Sequence, residues 1–169
     1  MTGSRVLVQR GVADELRRRL VASLETVRVG PGDDPASEMG AMIDESNAQR
    51  VEQTVAAAAD YATALVRGKR DRAFLGPSLI EVRDVSAPIV QREVFGPVAT
   101  FEIFDSEADA VARANATEFG LAASIWTRDV DRPLRVGREL RAGTVWTNTR
   151  ASCMWHHSSD GSRQKDEKR

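Results

Sequence analysis

The sequence predicts an α/β domain whose partial doubly wound, mostly parallel sheet is flanked by helices. Three observations support this fold class. Aliphatic runs of strand length recur along the chain, segments of helical periodicity lie between several of them, and the links are short. The pattern stops near residue 149, so we expect one domain over residues 1–149 and a disordered tail over 150–169.

The first predicted element is a buried strand, "SRVLVQ" at 4–9, which is rich in aliphatic residues. A helix follows, because apolar residues recur every three or four positions from Val12 to Leu24. The basic triplet Arg17–Arg19 lies between them and is interpreted as a solvated helix face. Residues 29–40 carry the Pro, Gly and Asp of an irregular loop.

A second helix is predicted from about Ser46 to Val66. Ser46 is the expected N-cap, the alanines at 56–59 favour helix, and Gly68 is expected to end it. A polar connection then leads to a strand over 78–84. The later predicted elements are a short apolar run after Pro88, strands at 98–105, 121–127 (buried) and 143–149, and helices from 107 to about 116 and from about 129 to 140.

Composition excludes several classes of protein. The 24 basic and 25 acidic residues give a net charge of -1, which argues against a nucleic-acid surface. No run approaches the roughly 18 to 20 apolar residues of a membrane span, and the N-terminus lacks the features of a secretory signal. The single cysteine, Cys153, fits a reducing compartment. We therefore expect a cytoplasmic protein without membrane or nucleic-acid partners.

Glu93 is the first candidate for chemistry, two positions before the Phe-Gly-Pro corner in "QREVFGPVATF". The simpler interpretation is a solvated loop carboxylate beside a structural turn. The functional interpretation is a carboxylate on a rigid corner at a strand end, where it accepts hydrogen bonds from a polar ligand such as a ribose diol.

Other motifs are weaker. Cys153, His156 and His157 could ligate zinc, but structural sites normally need four ligands, so we predict no metal site. A Cys–His nucleophilic pair in that tail would lack a rigid support. No phosphate-binding glycine loop is recognisable. Trp126, Trp146 and Phe95 are interpreted as core or interface residues on physical grounds alone.

Three stretches resemble the aldehyde dehydrogenase family, over roughly residues 1–149. "MTGSRVLVQRGVADELRRRL" is similar to the segment that follows the family's catalytic cysteine. "IVQREVFGPVATFEIFDSEADAVARANATEFGLAASIWTRD" carries the E-x-F-G-P corner and an N-x-T-x-[FY]-G-L segment, and "LRAGTVWTNT" is similar to the strand that closes the catalytic core.

The resemblance implies NAD(P)-dependent oxidation of an aldehyde to a carboxylic acid, with NAD or NADP as cofactor. It places Glu93 on the glutamate that hydrogen-bonds the nicotinamide ribose and Phe95 beside the nicotinamide. Asn47 and Arg50 fall near the cofactor's other ribose. Trp146 and Asn148 fall near the aldehyde tunnel and the active-site wall.

The departures from the family pattern concern catalysis. The family's nucleophilic cysteine would fall immediately before Met1, and its general-base glutamate and nucleotide-binding domain lie further upstream. After Thr149 the family pattern is lost. With no catalytic residue assigned, we expect the isolated chain to be inactive, because loss of a nucleophile removes several orders of magnitude of rate.

Three hypotheses remain open from the sequence. The chain is an inactive partial catalytic domain, or it is a binding or regulatory module that associates with full-length homologous subunits through exposed strand edges. Alternatively, the natural gene product begins upstream of Met1 and continues in another frame after Thr149. The aldehyde and the choice between NAD and NADP are not predicted.

Overall fold

The computed structural model describes residues 4–149, which form eight strands, five α-helices and one 3-10 turn. The strands are β1 (Arg5–Gln9), β2 (Thr63–Val66), β3 (Arg70–Asp71), β4 (Phe74–Leu75), β5 (Ser78–Glu81), β6 (Val98–Phe104), β7 (Ala122–Ile125) and β8 (Thr144–Thr147). The helices are α1 (Arg10–Glu25), α2 (Glu45–Ala57), α3 (Pro88–Gln91), α4 (Glu107–Ala114) and α5 (Arg132–Glu139), and the 3-10 turn spans Ala58–Asp60.

The main sheet has four strands in the order β1-β6-β5-β2. β1, β6 and β5 run parallel, and β2 pairs antiparallel with β5 at one edge. β3 and β4 form a small antiparallel pair, and β7 and β8 form a separate parallel pair. The predicted α/β class with a mostly parallel sheet is confirmed, although the strands of residues 4–149 divide among three sheets.

The main sheet is covered on both faces. Leu79 and Phe101 pack with α1, whereas Ile80, the next residue along β5, packs with Val55 of α2 and Ile89 of α3. Successive side chains of a strand point to opposite faces, so a run of adjacent buried aliphatic residues is what a two-sided sheet requires. The corner that follows α3 and the helix α2 therefore lie on one side of this sheet.

The predicted helix from Ser46 to Val66 is wrong in its second half. α2 ends at Ala57, and Thr63–Val66 instead pairs with β5. The alanine run favours helix locally, but the pairing of β2 with a buried strand overrides that weak preference. The N-cap is Asp44 rather than Ser46, since an Asp44 carboxylate oxygen accepts the backbone N–H of Asn47 at 2.7 Å.

Smaller differences concern the connections. The predicted polar link after Gly68 contains the β3–β4 hairpin, and the short apolar run after Pro88 is the helix α3. β7 is half-exposed rather than buried, because its residues alternate between exposed and intermediate positions. Ser106 is the N-cap of α4, and its side chain accepts the backbone N–H of Asp109. The helix predicted from about 129 begins at Arg132, with Asp131 as its N-cap, and Asp129 accepts the backbone N–H of Arg132 from outside the helix.

Within residues 4–149, helices are too short or too polar to cross a lipid bilayer. The predicted tail of residues 150–169 lies outside the described residues.

Candidate functional site

The corner between α3 and β6 contains the predicted Glu93 and Phe95. Glu93 is exposed, and Phe95 leaves 71% of its surface exposed. Phe95 also adopts a φ of 51°. An L-residue with a Cβ rarely occupies this left-handed region, and such residues cluster at ligand-binding and active sites. The corner therefore presents an aromatic ring to solvent from a strained backbone.

Contacts with the apolar clusters, α2 and β5 hold the other residues of the corner, Val94, Gly96 and Pro97, in place. Val94 contacts two apolar clusters beneath the loop. A Cβ added to Gly96 would lie 2.8 Å from both Cγ atoms of Val51 on α2, so only glycine allows this close approach. The carbonyl of Pro97 accepts the N–H of Ser78 at 2.8 Å and joins the corner to β5. Glu93 and Phe95 thus project from a rigid support.

Arg50 of α2 contacts this corner directly. Its guanidinium donates a hydrogen bond to the carbonyl of Val94 at 2.8 Å. Arg50, Glu93 and Phe95 are therefore brought together, since Val94 lies between the last two in the chain. The side chain of Arg50 is exposed at this position.

Asn47 lies one helical turn before Arg50, and its side chain forms hydrogen bonds at the start of α2. Its Nδ2 donates to both carboxylate oxygens of Asp44 at 3.0 Å. The backbone N–H of Asn47, then the side chains of Ser46 and Asn47, hold the pKa of the Asp44 carboxyl below its usual range. Asn47 shares a helix with Arg50, but its amide nitrogen is already occupied.

Trp146 and Asn148 lie on and just after β8, in the two-stranded sheet rather than at the corner. Trp146 is half-buried. Asn148 has a φ of 51°, and its side chain both donates to the carbonyl of Thr127 and accepts the N–H of Thr127 at 2.9 Å. Its amide therefore fastens the end of β8 to the loop after β7.

The N-A-T-E-F-G-L segment has a structural role that the sequence did not reveal. Asn115 donates to the carbonyl of Glu139 and accepts the N–H of Arg141, each at 2.8 Å. The carbonyl of Gly120 accepts the N–H of Gly143 at 2.7 Å. These bonds fasten α4 to the end of α5 and to the start of β8.

Sequence reasoning also missed an ion pair inside the main sheet. Arg5 of β1 donates two hydrogen bonds of 2.8 Å to Glu102 of β6, whose side chain is 1% exposed. Arg5 also donates to the carbonyl of Arg113 near the end of α4 at 2.9 Å, and Thr100 donates to Glu102 at 2.9 Å. The register that places Arg5 opposite Thr100 could not be obtained from the sequence alone.

Cavities and possible metal ligands do not point to a different site in the described part. A surface cavity of about 350 Å³ lies between α2, the start of β5 and the residues that follow β2, beside Glu52, Arg67 and Ser78, and contains none of the predicted site residues. Residues 4–149 contain no group of three His, Cys, Asp or Glu side chains placed to hold a metal ion. Cys153, His156 and His157 lie outside the described residues.

Comparison with known proteins identifies the family. The sequence model described as the aldehyde dehydrogenase family matches residues 1–164. The chain belongs to the aldehyde dehydrogenase family. The resemblance predicted from the E-x-F-G-P corner and its neighbouring segments is thereby confirmed.

Individual aldehyde dehydrogenases give the same result. A mouse (Mus musculus) 2-aminomuconic semialdehyde dehydrogenase is 35% identical over 86% of this chain and 32% of its own length. An Escherichia coli K12 succinate-semialdehyde dehydrogenase [NADP(+)] is 36% identical over 86% of this chain and 31% of its own length. The chain thus spans about a third of the length of the curated relatives that it matches.

Solved structures support the same fold. The crystal structure of Staphylococcus aureus betaine aldehyde dehydrogenase in complex with NAD+ is 36% identical and superposes with a TM-score of 0.79. The match covers 86% of this chain and 30% of that one. The α/β arrangement of residues 4–149 is therefore that of a segment of an aldehyde dehydrogenase.

Proposed function

We propose that this chain supplies the nicotinamide-ribose side of the active site of an NAD(P)-dependent aldehyde dehydrogenase. The observation that carries the proposal is the corner itself, where an exposed Phe95 with a φ of 51° lies two residues after the exposed Glu93. Exposure of a large aromatic side chain on a strained backbone has no evident benefit for folding. A planar ligand that covers the ring would offset it.

The residues present fit the ribose and nicotinamide of NAD or NADP. A carboxylate is an acceptor only, so Glu93 suits a pair of donating hydroxyl groups such as a ribose diol. The exposed ring of Phe95 offers an apolar face beside it. Arg50 and Asn47, one helical turn apart on α2, are assigned to the neighbourhood of the other ribose. The cofactor, when bound, supplies the acceptor for a hydride.

The proposed reaction of the whole protein is oxidation of an aldehyde to a carboxylic acid. Trp146 and Asn148 are assigned to the aldehyde side, where the half-buried indole would contact the substrate. The amide of Asn148 would act indirectly, because it already holds Thr127. We also propose a cytoplasmic location, because the single cysteine of the chain fits a reducing compartment.

Titration of the full chain with NAD+, followed by NMR, tests the proposal. We expect the resonances of Glu93 and Phe95 to shift, and Glu93→Gln to weaken binding by about ten- to a hundredfold, because a charged group with two acceptor oxygens becomes a neutral amide with one. Glu118→Gln removes the same charge from an exposed loop position and is the matched control. Equal affinities of the two variants would exclude Glu93 as a ribose ligand.

We also propose that the chain alone does not turn over aldehydes. The family resemblance does not place Cys153, the single cysteine of the chain, on the family's nucleophile. Covalent catalysis in this family uses a cysteine thiolate, so we expect no formation of NADH from NAD+ and a common aldehyde. Formation of NADH above a blank without protein would contradict this expectation.

A second candidate function is association with full-length homologous subunits. Four large apolar side chains around β7 and α5 are each at least 66% exposed: Leu121, Trp126, Val130 and Leu134. β1 also forms an edge of the main sheet in residues 4–149, and edge strands offer unpaired backbone groups. Co-purification with a full-length relative would support this function. A species that stays monomeric by light scattering when mixed with that relative would argue against it.

A further inference from the structure

We infer that Arg50 is a positioning residue. It holds the peptide between Val94 and Phe95 in the orientation that gives Phe95 its positive φ. The inference deepens the proposed function and rests on it only for the identity of the ligand. Its basis is the hydrogen bond of 2.8 Å from the Arg50 guanidinium to the carbonyl of Val94. That carbonyl belongs to the peptide plane whose rotation sets the φ of Phe95.

The geometry explains why this peptide needs a restraint. Phe95 has a φ of 51°, and rotation of the preceding peptide would release the residue to the extended region that phenylalanine prefers. Such a rotation would also turn the carbonyl of Val94 away from Arg50. The hydrogen bond therefore opposes the very motion that would relieve the strain.

The neighbouring restraints do not act on this peptide. Gly96 is held against Val51, and Pro97 is held by the N–H of Ser78, so both fix the chain after Phe95. The side chain of Val94 packs into the apolar clusters below, but a peptide can rotate while its flanking side chains stay in place. Arg50 thus restrains the Val94–Phe95 peptide, which lies between the packed side chain of Val94 and the fixed residues Gly96 and Pro97.

The first test measures the φ of Phe95 without any ligand. In the full chain labelled with ¹⁵N and ¹³C, the HN–Hα coupling and the Cα shift of Phe95 report this angle. Arg50→Met should move both towards extended values, because the held orientation loses about twofold to tenfold in relative population. Arg50→Lys keeps the charge and an N–H donor group but loses the planar guanidinium, so its coupling and shift should fall between those of Arg50→Met and of the unchanged chain. Arg92→Met removes an exposed charge near Glu93 and should change nothing.

A second test uses unfolding temperatures. Glycine tolerates a positive φ, so in a Phe95→Gly background the restraint is no longer needed. Arg50→Met should therefore lower the unfolding temperature less in that background than in the unchanged chain. Equal lowering in both backgrounds, or a Phe95 signature that Arg50→Met leaves unchanged, would overturn the inference.

A third test separates this inference from the proposed function. If NAD+ perturbs no resonance of the unchanged chain while Arg50→Met alters the Phe95 signature, the proposed function fails and the inference about Arg50 holds. If Arg50→Met weakens NAD+ binding but leaves the Phe95 signature unchanged, Arg50 acts on the ligand directly and the inference is overturned. Weaker binding together with an altered signature supports both.

Discussion

The main sheet and the β7–α5–β8 unit are held together by different forces. In the main sheet, Leu79, Ile80 and Phe101 are at most 1% exposed. Among the described residues after Glu102, only Val136 is buried, at 8% exposure. The first region is held by apolar burial on both faces, whereas the second has little core of its own.

Polar contacts hold the second region in place. Glu107 at the start of α4 accepts hydrogen bonds from Arg132 and Arg135 of α5. The guanidinium of Arg135, with a further contribution from Arg132, holds the pKa of the Glu107 carboxyl below its usual range. Together with the bonds of Asn115 and Asn148, these contacts fix geometry without burying much apolar surface. The two regions should therefore respond differently to the same kind of mutation.

Truncation of one aromatic side chain in each region is the strongest test of this comparison. Phe101→Ala should lower the free energy of unfolding by about 3 to 5 kcal/mol, because it leaves a cavity at a fully buried position. Trp126→Ala, at a side chain that is 66% exposed, should change it by less than about 0.5 kcal/mol. Chemical denaturation measures both values. Similar losses in the two variants would show that Trp126 is buried in solution.

The Arg5–Glu102 pair tests a charged interaction between two strands of the main sheet. Arg5→Met should lower the free energy of unfolding by about 3 kcal/mol, since it leaves the carboxylate of Glu102 buried without its partner. This value lies at the lower end for such changes because the Arg5 side chain is 15% exposed.

The double variant Arg5→Met/Glu102→Leu is the control for that prediction. It removes both charges and should recover most of the loss. If the double variant is as unstable as Arg5→Met alone, the effect comes from lost packing or from the bonds of Arg5 to α4 rather than from an unpaired carboxylate.

Two glycines test the second region with smaller expected effects. A Cβ on Gly120 would lie 2.5 Å from the carbonyl oxygen of Arg141, so Gly120→Ala should destabilise the chain by about 1 to 3 kcal/mol. At Gly137 on α5 the nearest atom to an added Cβ is 3.7 Å away, so Gly137→Ala should be stabilising by a few tenths of a kcal/mol to about 1 kcal/mol. Thermal unfolding measures both effects: the unfolding temperature should fall for Gly120→Ala and rise for Gly137→Ala. A neutral Gly120→Ala would mean that the β7–β8 unit shifts to accommodate the methyl group.

In both regions the sequence predicts local patterns better than non-local contacts. Apolar runs such as Leu79–Ile80 indicate a two-sided sheet whatever the partner strands are, and the α/β class followed from their alternation with helices. The failure at Thr63–Val66 arose because strand pairing with β5 overrode the helix preference of the alanines before it. β7 was predicted as buried from composition alone, and composition does not reveal what covers a strand.

At the candidate site, too, local sequence patterns could be predicted and contacts between distant residues could not. Glu93 and Phe95 could be singled out because a Phe-Gly-Pro corner is a local pattern and the family resemblance assigned it a ligand. The contact from Arg50 to Val94 joins residues 44 positions apart, so it depends on the packing of α2 against the corner. The double hydrogen bond of Asn148 to Thr127 is similarly non-local, 21 positions apart. Assignments that rest on contacts of this kind require the folded chain.

Asp44 tests whether α2, the helix that carries Arg50 beneath the corner, is sensitive to acid. The expected change in unfolding temperature is the smallest of those predicted. Hydrogen bonds from Asn47 and Ser46 lower the pKa of the Asp44 carboxyl in the folded chain, and α2 carries Arg50 three residues after Asn47. A depressed folded pKa gives stability that is present above the unfolded value of about 3.9 and lost as the pH falls through the folded value. Asp44→Ser keeps an N-cap acceptor but does not titrate, so its unfolding temperature should fall less between about pH 5 and pH 2 than that of the unchanged chain. If the unfolding temperatures of the two chains fall in parallel as the pH is lowered, the acid sensitivity belongs to other carboxylates. Glu107 in the second region is one of them, because Arg135 lowers its pKa.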